Sequence, residues 1–145
     1  MKTFFGAWQF WALLSAGFAA LTAIFGKIGV ENIDSNYATL IRTVLILALV
    51  TIVAVATNAI QPISTVSART WIFLALSGLA TGASWLCYYR ALKLGPASGV
   101  VSIDKLSVLL VALFAVVFLG ERLDARGGVG IVLIAAGAVL VAMRA

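Results

Sequence analysis

The chain has 145 residues, of which 63% are hydrophobic and only 10% charged, whereas an ordinary soluble domain carries about 25% charged residues. A soluble fold of this size buries only about 68 to 70% of the surface its unfolded chain exposes, so the composition excludes it and specifies an all-α integral membrane protein. The net charge of +5 comes from Lys and Arg scattered singly or in twos, which excludes a nucleic-acid footprint.

A single cysteine, Cys87, allows no internal disulfide, and the absence of His removes the usual acid-base catalyst and the usual transition-metal ligand. No cofactor and no metal are expected, and the chain does not read as an enzyme. The partners expected are membrane lipid and a small-molecule substrate.

In chain order, the stretch between Lys2 and Lys27 is uncharged. Its apolar run passes the small residues from Ser15 to Ala20 and continues to Gly26, too long for the h-region of a secretory signal, which spans about 7 to 15 residues. The run predicts a first span over 8–27. Ala12, Ala16 and Ala20, and beside them Ser15, Ala19 and Ala23, form small-residue rows where another helix can approach closely. Glu31 to Asn36 is the first loop.

A second span over 37–57 is interrupted only by Arg42, about 8 Å along the helix from Tyr37. Two roles are open for it: snorkelling to the headgroups, or facing inward to a partner or ligand. The loop from Asn58 to Arg69 holds Pro62 and several Ser and Thr. The third span, 70–91, carries Gly78 and Gly82 at GxxxG spacing, which suits close helix packing. Trp85, Tyr88 and Tyr89 follow, either as an interfacial aromatic belt or as the wall of a substrate cavity. Arg90 and Lys93 close the helix, and Gly95-Pro96 makes the turn.

The fourth span, 97–119, reads as one long apolar helix that holds two adjacent ionisable residues, Asp104 and Lys105. Asp104 lies about 10 Å along a helix that needs about 30 Å to cross the core, where a charge costs a few kcal/mol unless it finds a partner, water or a proton. Neighbours on a helix point about 100° apart, so the two are expected to occupy different environments. Asp104 can meet Arg42 at comparable depth, leaving Lys105 for an anionic substrate group; alternatively Lys105 neutralises Asp104 through water. A structural ion pair that fixes helix register stands against a substrate or proton site. The fifth span, 127–143, has Gly130 and Gly137 one heptad apart, suited to a partner helix or to packing within the chain.

Five spans put the termini on opposite sides. Lys2, Arg69, Arg122 and Arg126 fall on one side and Lys27, Arg90, Lys93 and Arg144 on the other, so the excess of Lys and Arg that sets orientation is balanced. Such a count is either chance or the mark of dual topology, in which the chain inserts both ways and forms an antiparallel homodimer equivalent to a pair of inverted repeats.

The segment from Tyr88 to Ser98, YYRALKLGPAS, then an apolar helix, then Phe118-Leu119-Gly120-Glu121-Arg122-Leu123 and a glycine-containing last helix resemble the EamA-type repeat of the drug/metabolite transporter superfamily. The resemblance covers essentially the whole chain and rests on the order of these pieces. It implies one five-helix EamA-type repeat in a bacterial or archaeal inner membrane, with Gly95, Pro96, Gly120 and Glu121 as the motif residues. Glu121 sits at a helix end, where it serves loop geometry or transport. Most members carry two inverted repeats and export metabolites or drugs by alternating access. A single repeat implies a homodimer, because half of the usual cavity is missing from one copy.

The function expected is therefore secondary transport, as an exporter, of a small polar metabolite or drug. Arg42, Trp85, Tyr89, Asp104 and Lys105 are the substrate-binding or coupling residues, and their net positive charge favours an anionic or zwitterionic substrate. The alternative is a non-transporting membrane subunit of a larger hetero-oligomeric complex. No phosphate-cradling GxxxxGK[ST] loop is present to support ATP-driven transport.

Overall fold

The structure, a computed structural model, describes residues 7–144; Lys2, used in the charge count, lies outside them. Five helical stretches are long and apolar enough to cross a bilayer, and no strand occurs among the described residues. In hydrocarbon every backbone N–H and C=O must be answered within the segment, which the α-helix alone achieves without closing a barrel. The hydroxyls inside the spans obey the same demand: Thr39 donates to the Ser35 carbonyl, Thr43 to Thr39, Thr81 to Ser77 and Ser102 to Ser98, all at 2.7 to 2.8 Å.

The helices are α1 (Trp8–Val30), α2 (Ser35–Ala56), α3 (Ala68–Leu94), α4 (Ala97–Asp104), α5 (Ser107–Leu119) and α6 (Ala125–Ala142), with a short 3-10 turn at Ile63–Thr65. Several begin or end beyond the bounds expected from hydropathy, because polar caps decide helix ends. Asp34 Oδ1 accepts from the N–H groups of Asn36 (2.8 Å) and Tyr37 (3.3 Å), so α2 starts at Ser35. These two donors hold the Asp34 carboxyl below its ordinary value, with Lys93 and Arg90 adding a smaller pull in the same direction.

Ser67 Oγ accepts from Thr70 N–H at 3.1 Å and opens α3. At the far end of α2, Asn58 takes a left-handed conformation (φ 52°). Its N–H returns to the Val55 carbonyl and that of Ala59 to Ala54, a Schellman closure.

The fourth span differs from the single helix expected. It divides into α4 and α5 at Lys105 and Leu106, which stay right-handed with ψ of −12° and −18°. Leu106, Val108 and Leu109 donate to carbonyls three residues back, at 2.9 to 3.1 Å, so the chain tightens to a 3-10 turn and restarts. Neither Pro nor Gly stands there to announce it. α6 begins at Ala125, ahead of the expected start, because Asp124 caps it through Gly127 N–H at 2.8 Å.

The described residues fall into two compact units, one of Gly29–Lys93 and the other of the chain before and after it. In the latter, α6 lies against α4 and α5, with buried Gly99 and Ala138 allowing close approach. In the former, Val30, Ser35, Ala38, Thr39, Tyr89 and Leu92 are buried. A Cβ added at Gly78, Gly82, Gly130 or Gly137 meets nothing within 4 Å; the close packing expected at these glycines is not made by the described chain.

Candidate functional site

Ser35, Ala38 and Arg42 recur at helical spacing on one face of α2, and Trp85, Tyr89 and Leu92 do so on α3. Where the two faces meet, the Arg42 guanidinium lies 4.1 Å from the centroid of the Trp85 ring and 5.4 Å from that of Tyr89. Arg42 is half-buried and Tyr89 buried, so the guanidinium turns inward onto the rings. Tyr88 is stacked at a tilt beside Tyr89, with centroids 6.3 Å apart.

The rings offer the guanidinium no hydrogen-bond acceptor. Its Nη1 is buried with no hydrogen-bond partner among the described residues. A cation–π contact returns about 0.5 to 2 kcal/mol, whereas an unanswered buried donor costs about 1 to 3 kcal/mol and more when it is charged. The two effects are of similar size, so the arrangement holds the side chain in place while leaving an in-plane donor without an acceptor.

Asp104 and Lys105 stand at the junction of α4 and α5. Tightening of the chain there brings Lys105 Nζ to 3.8 Å from Asp104 Oδ2. This is too long for a hydrogen bond but close enough for a loose ion pair. Both side chains remain exposed, at 52% and 43%. The expectation that neighbours 100° apart keep separate environments fails because the helix is interrupted where they sit.

Just past this junction, a cavity of about 320 Å³ runs between α5 and α6 from Ser107 and Val108 to Glu121 and Arg122, with Ile131 on the α6 side. Gly120 ends α5 in the left-handed region (φ 66°), and Glu121 N–H returns to the Ala115 carbonyl at 3.1 Å. That bond is made by the main chain, and Glu121 also lines the cavity end.

Gly95 and Pro96 form the turn between α3 and α4. The Gly95 carbonyl accepts a 2.9 Å hydrogen bond from Lys27 Nζ, and Lys93 Nζ donates to the Ile33 carbonyl. The sequence marked Lys27 as an orientation charge and Lys93 also as closing its helix; each stands in the last turn of its helix and reaches the carbonyl of a connecting segment. Among the described residues no cluster of three or more potential metal ligands occurs.

Comparison with known proteins gives two findings. The sequence profile described as the EamA-like transporter family matches residues 6–143. A Sinorhizobium sp. protein named "Uncharacterized transporter in cobO 3'region" is 59% identical over 137 residues, covering 94% of this chain and 97% of that one. No solved structure matches the chain.

Proposed function

Because the chain belongs to the EamA-like transporter family, we propose that it is a secondary transporter that exports a small polar metabolite or drug, working as a homodimer by alternating access. At the coarser level, it is a multi-pass membrane protein of the drug/metabolite transporter superfamily. The finer reading assigns it to a bacterial or archaeal inner membrane.

The observation that carries the transport mechanism is the interruption of the fourth span at its own ion pair. A 3-10 stretch inside a longer helix often marks a functional hinge. Discontinuous helices are also where transporters place substrate and coupling ions. Asp104 and Lys105 stand at such a place with side chains not enclosed by the described chain, open to a proton or solute if that side faces the cavity of the dimer. Asp104 takes the role of coupling carboxylate, Lys105 that of its counter-charge, and Arg42 with Trp85 and Tyr89 that of substrate contact.

One repeat covers 97% of the Sinorhizobium relative, which supports the dimer, since a cavity enclosed by two inverted repeats needs a second copy. The balance of basic residues on the two sides supports an antiparallel arrangement, and the uncovered Gly78–Gly82 face leaves room for a close helix partner.

The test is solute uptake into proteoliposomes with and without a pH gradient, run for the wild type, Asp104→Asn and Lys105→Ala. Gradient-dependent transport that both substitutions abolish is the expected result. Full transport by both variants, with the fold intact, places the site elsewhere. Absence of transport by the wild type, combined with co-purification of a larger membrane protein, favours a non-transporting subunit. Cytoplasmic and external reporters fused to the C-terminus test orientation, and a single orientation removes dual topology.

A further inference from the structure

We propose that Arg42 is the receptor for a carboxylate, so that the solutes this chain takes are organic acids or zwitterions presenting an ionised carboxyl group to the α2–α3 face. The inference rests on the transporter reading above and adds the chemical class of the substrate.

Three observations converge on it. The guanidinium carbon lies over the Trp85 ring, 4.1 Å from its centroid, and 5.4 Å from that of Tyr89, and carbon rings offer its N–H donors no oxygen acceptor. One of them, Nη1, is buried and has no acceptor among the described residues. The chain also offers no acid nearby in the same unit. Between Gly29 and Lys93 the acidic residues are Glu31 and Asp34, and Asp34 lies about 12 Å back along the helix with its carboxylate capping the start of α2.

A permanently charged, planar fork fixed by aromatic faces and lacking its complement matches a planar oxyanion, which accepts two parallel N–H bonds from Arg. Lysine presents a point charge and cannot reproduce that pairing. The same oxyanion chemistry can arrive on a lipid phosphate. The depth of Arg42, about 10 Å along α2 from Ser35, and its inward turn onto α3 favour a solute over a headgroup.

The experiment uses the full chain purified in dodecyl maltoside and, separately, in phosphatidylcholine nanodiscs. Each preparation is titrated calorimetrically with acetate, benzoate, succinate and glutamate, and with benzamide and benzylammonium as neutral and cationic controls. Saturable binding of at least one carboxylate, in both preparations, is expected, with none for the two controls. Arg42→Gln abolishes that binding, Arg42→Lys weakens it about tenfold or more through loss of the paired geometry, and Trp85→Phe weakens it several-fold by loosening the guanidinium. The latter two variants keep the proposal testable should Arg42→Gln fail to fold.

The proposal is overturned if no carboxylate saturates, if benzamide or benzylammonium binds as well as benzoate, or if Arg42→Lys binds like the wild type. It is overturned equally if the protein in maltoside takes no carboxylate but binds short-chain phosphatidylglycerol through Arg42, which would make the oxyanion a lipid headgroup. Uptake of the bound carboxylate into proteoliposomes separates the two claims. Arg42-dependent binding without transport leaves the carboxylate site and removes the transporter reading, whereas transport of benzylammonium without carboxylate binding does the reverse.

Discussion

Lys27, in the last turn of α1, donates a 2.9 Å hydrogen bond to the carbonyl of Gly95, 68 residues further along the chain. The acceptor stands immediately after α3, where the last carbonyls of a helix have no intrahelical partner. A charged donor thereby ties the end of one span to the turn that carries the Gly95-Pro96 motif. Lys27→Met is expected to lower stability by about 1.5 to 3 kcal/mol, the range for hydrogen bonds to charged groups, and Lys27→Arg to restore most of it. Thermal unfolding of the two variants in nanodiscs checks this.

Adjacent glycines at the start of α6 are expected to respond in opposite directions. A Cβ at Gly127 would sit 2.9 Å from Asp124 Oδ1 and 3.1 Å from Leu123 Cδ1, whereas one at Gly128 meets only Leu123 Cδ2 at 3.9 Å. Gly127→Ala therefore displaces the capping carboxylate and costs about 1 kcal/mol. Gly128→Ala gains about 0.5 to 1 kcal/mol from helix propensity. Melting temperatures of the two variants against wild type give the comparison, and equal effects would mean that the cap does not depend on Gly127.

Asp34 makes stability depend on pH. Its carboxyl is held below the ordinary value, first by the Asn36 N–H and then by the Tyr37 N–H. The folded state therefore favours the ionised form more than the unfolded chain does. The stabilisation is complete above the unfolded value, near 4, and is lost as pH falls through the lower folded value. A stability profile from pH 7 to pH 3 is expected to fall at its acid end in the wild type. In Asp34→Asn, which keeps a capping oxygen without a titrating proton, the fall is shallower; an identical fall would exclude Asp34 as its source.

Neutralising Asp104 and Lys105 together separates a working pair from a register-fixing one. At 3.8 Å the pair is loose, and removing both charges together leaves neither one unpaired, which for an ion pair away from water is often close to neutral. Asp104→Asn/Lys105→Gln is expected to unfold within about 1 kcal/mol of wild type while transport is lost. A drop of several kcal/mol with transport retained by the folded fraction would make the pair structural.

Much of the architecture was legible without coordinates. A bilayer sets the length of each span and forbids unanswered backbone groups, so uninterrupted apolar runs of sufficient length between polar stretches had to be helices. The order of the Gly95-Pro96 and Gly120-Glu121 turns carried the family. The helix ends were less accurately placed because hydropathy changes gradually, while Asp34, Ser67 and Asp124 set each start by one hydrogen bond to a specific N–H. Those cap residues were visible in the sequence and carry that signal.

Three features belonged to tertiary structure alone. Arg42 has the same position along the helix whatever it meets; the Trp85 and Tyr89 rings beside it are supplied by a helix distant in sequence. The division of the fourth span at Lys105 and Leu106 leaves no mark in composition, because those residues remain right-handed and only the hydrogen-bond step shortens. The tie between Lys27 and Gly95 joins residues that no local pattern relates. Hydrophobicity is read residue by residue and so determines which segments enter the membrane; the acceptor or ring a charged side chain meets there depends on how the helices are arranged in space.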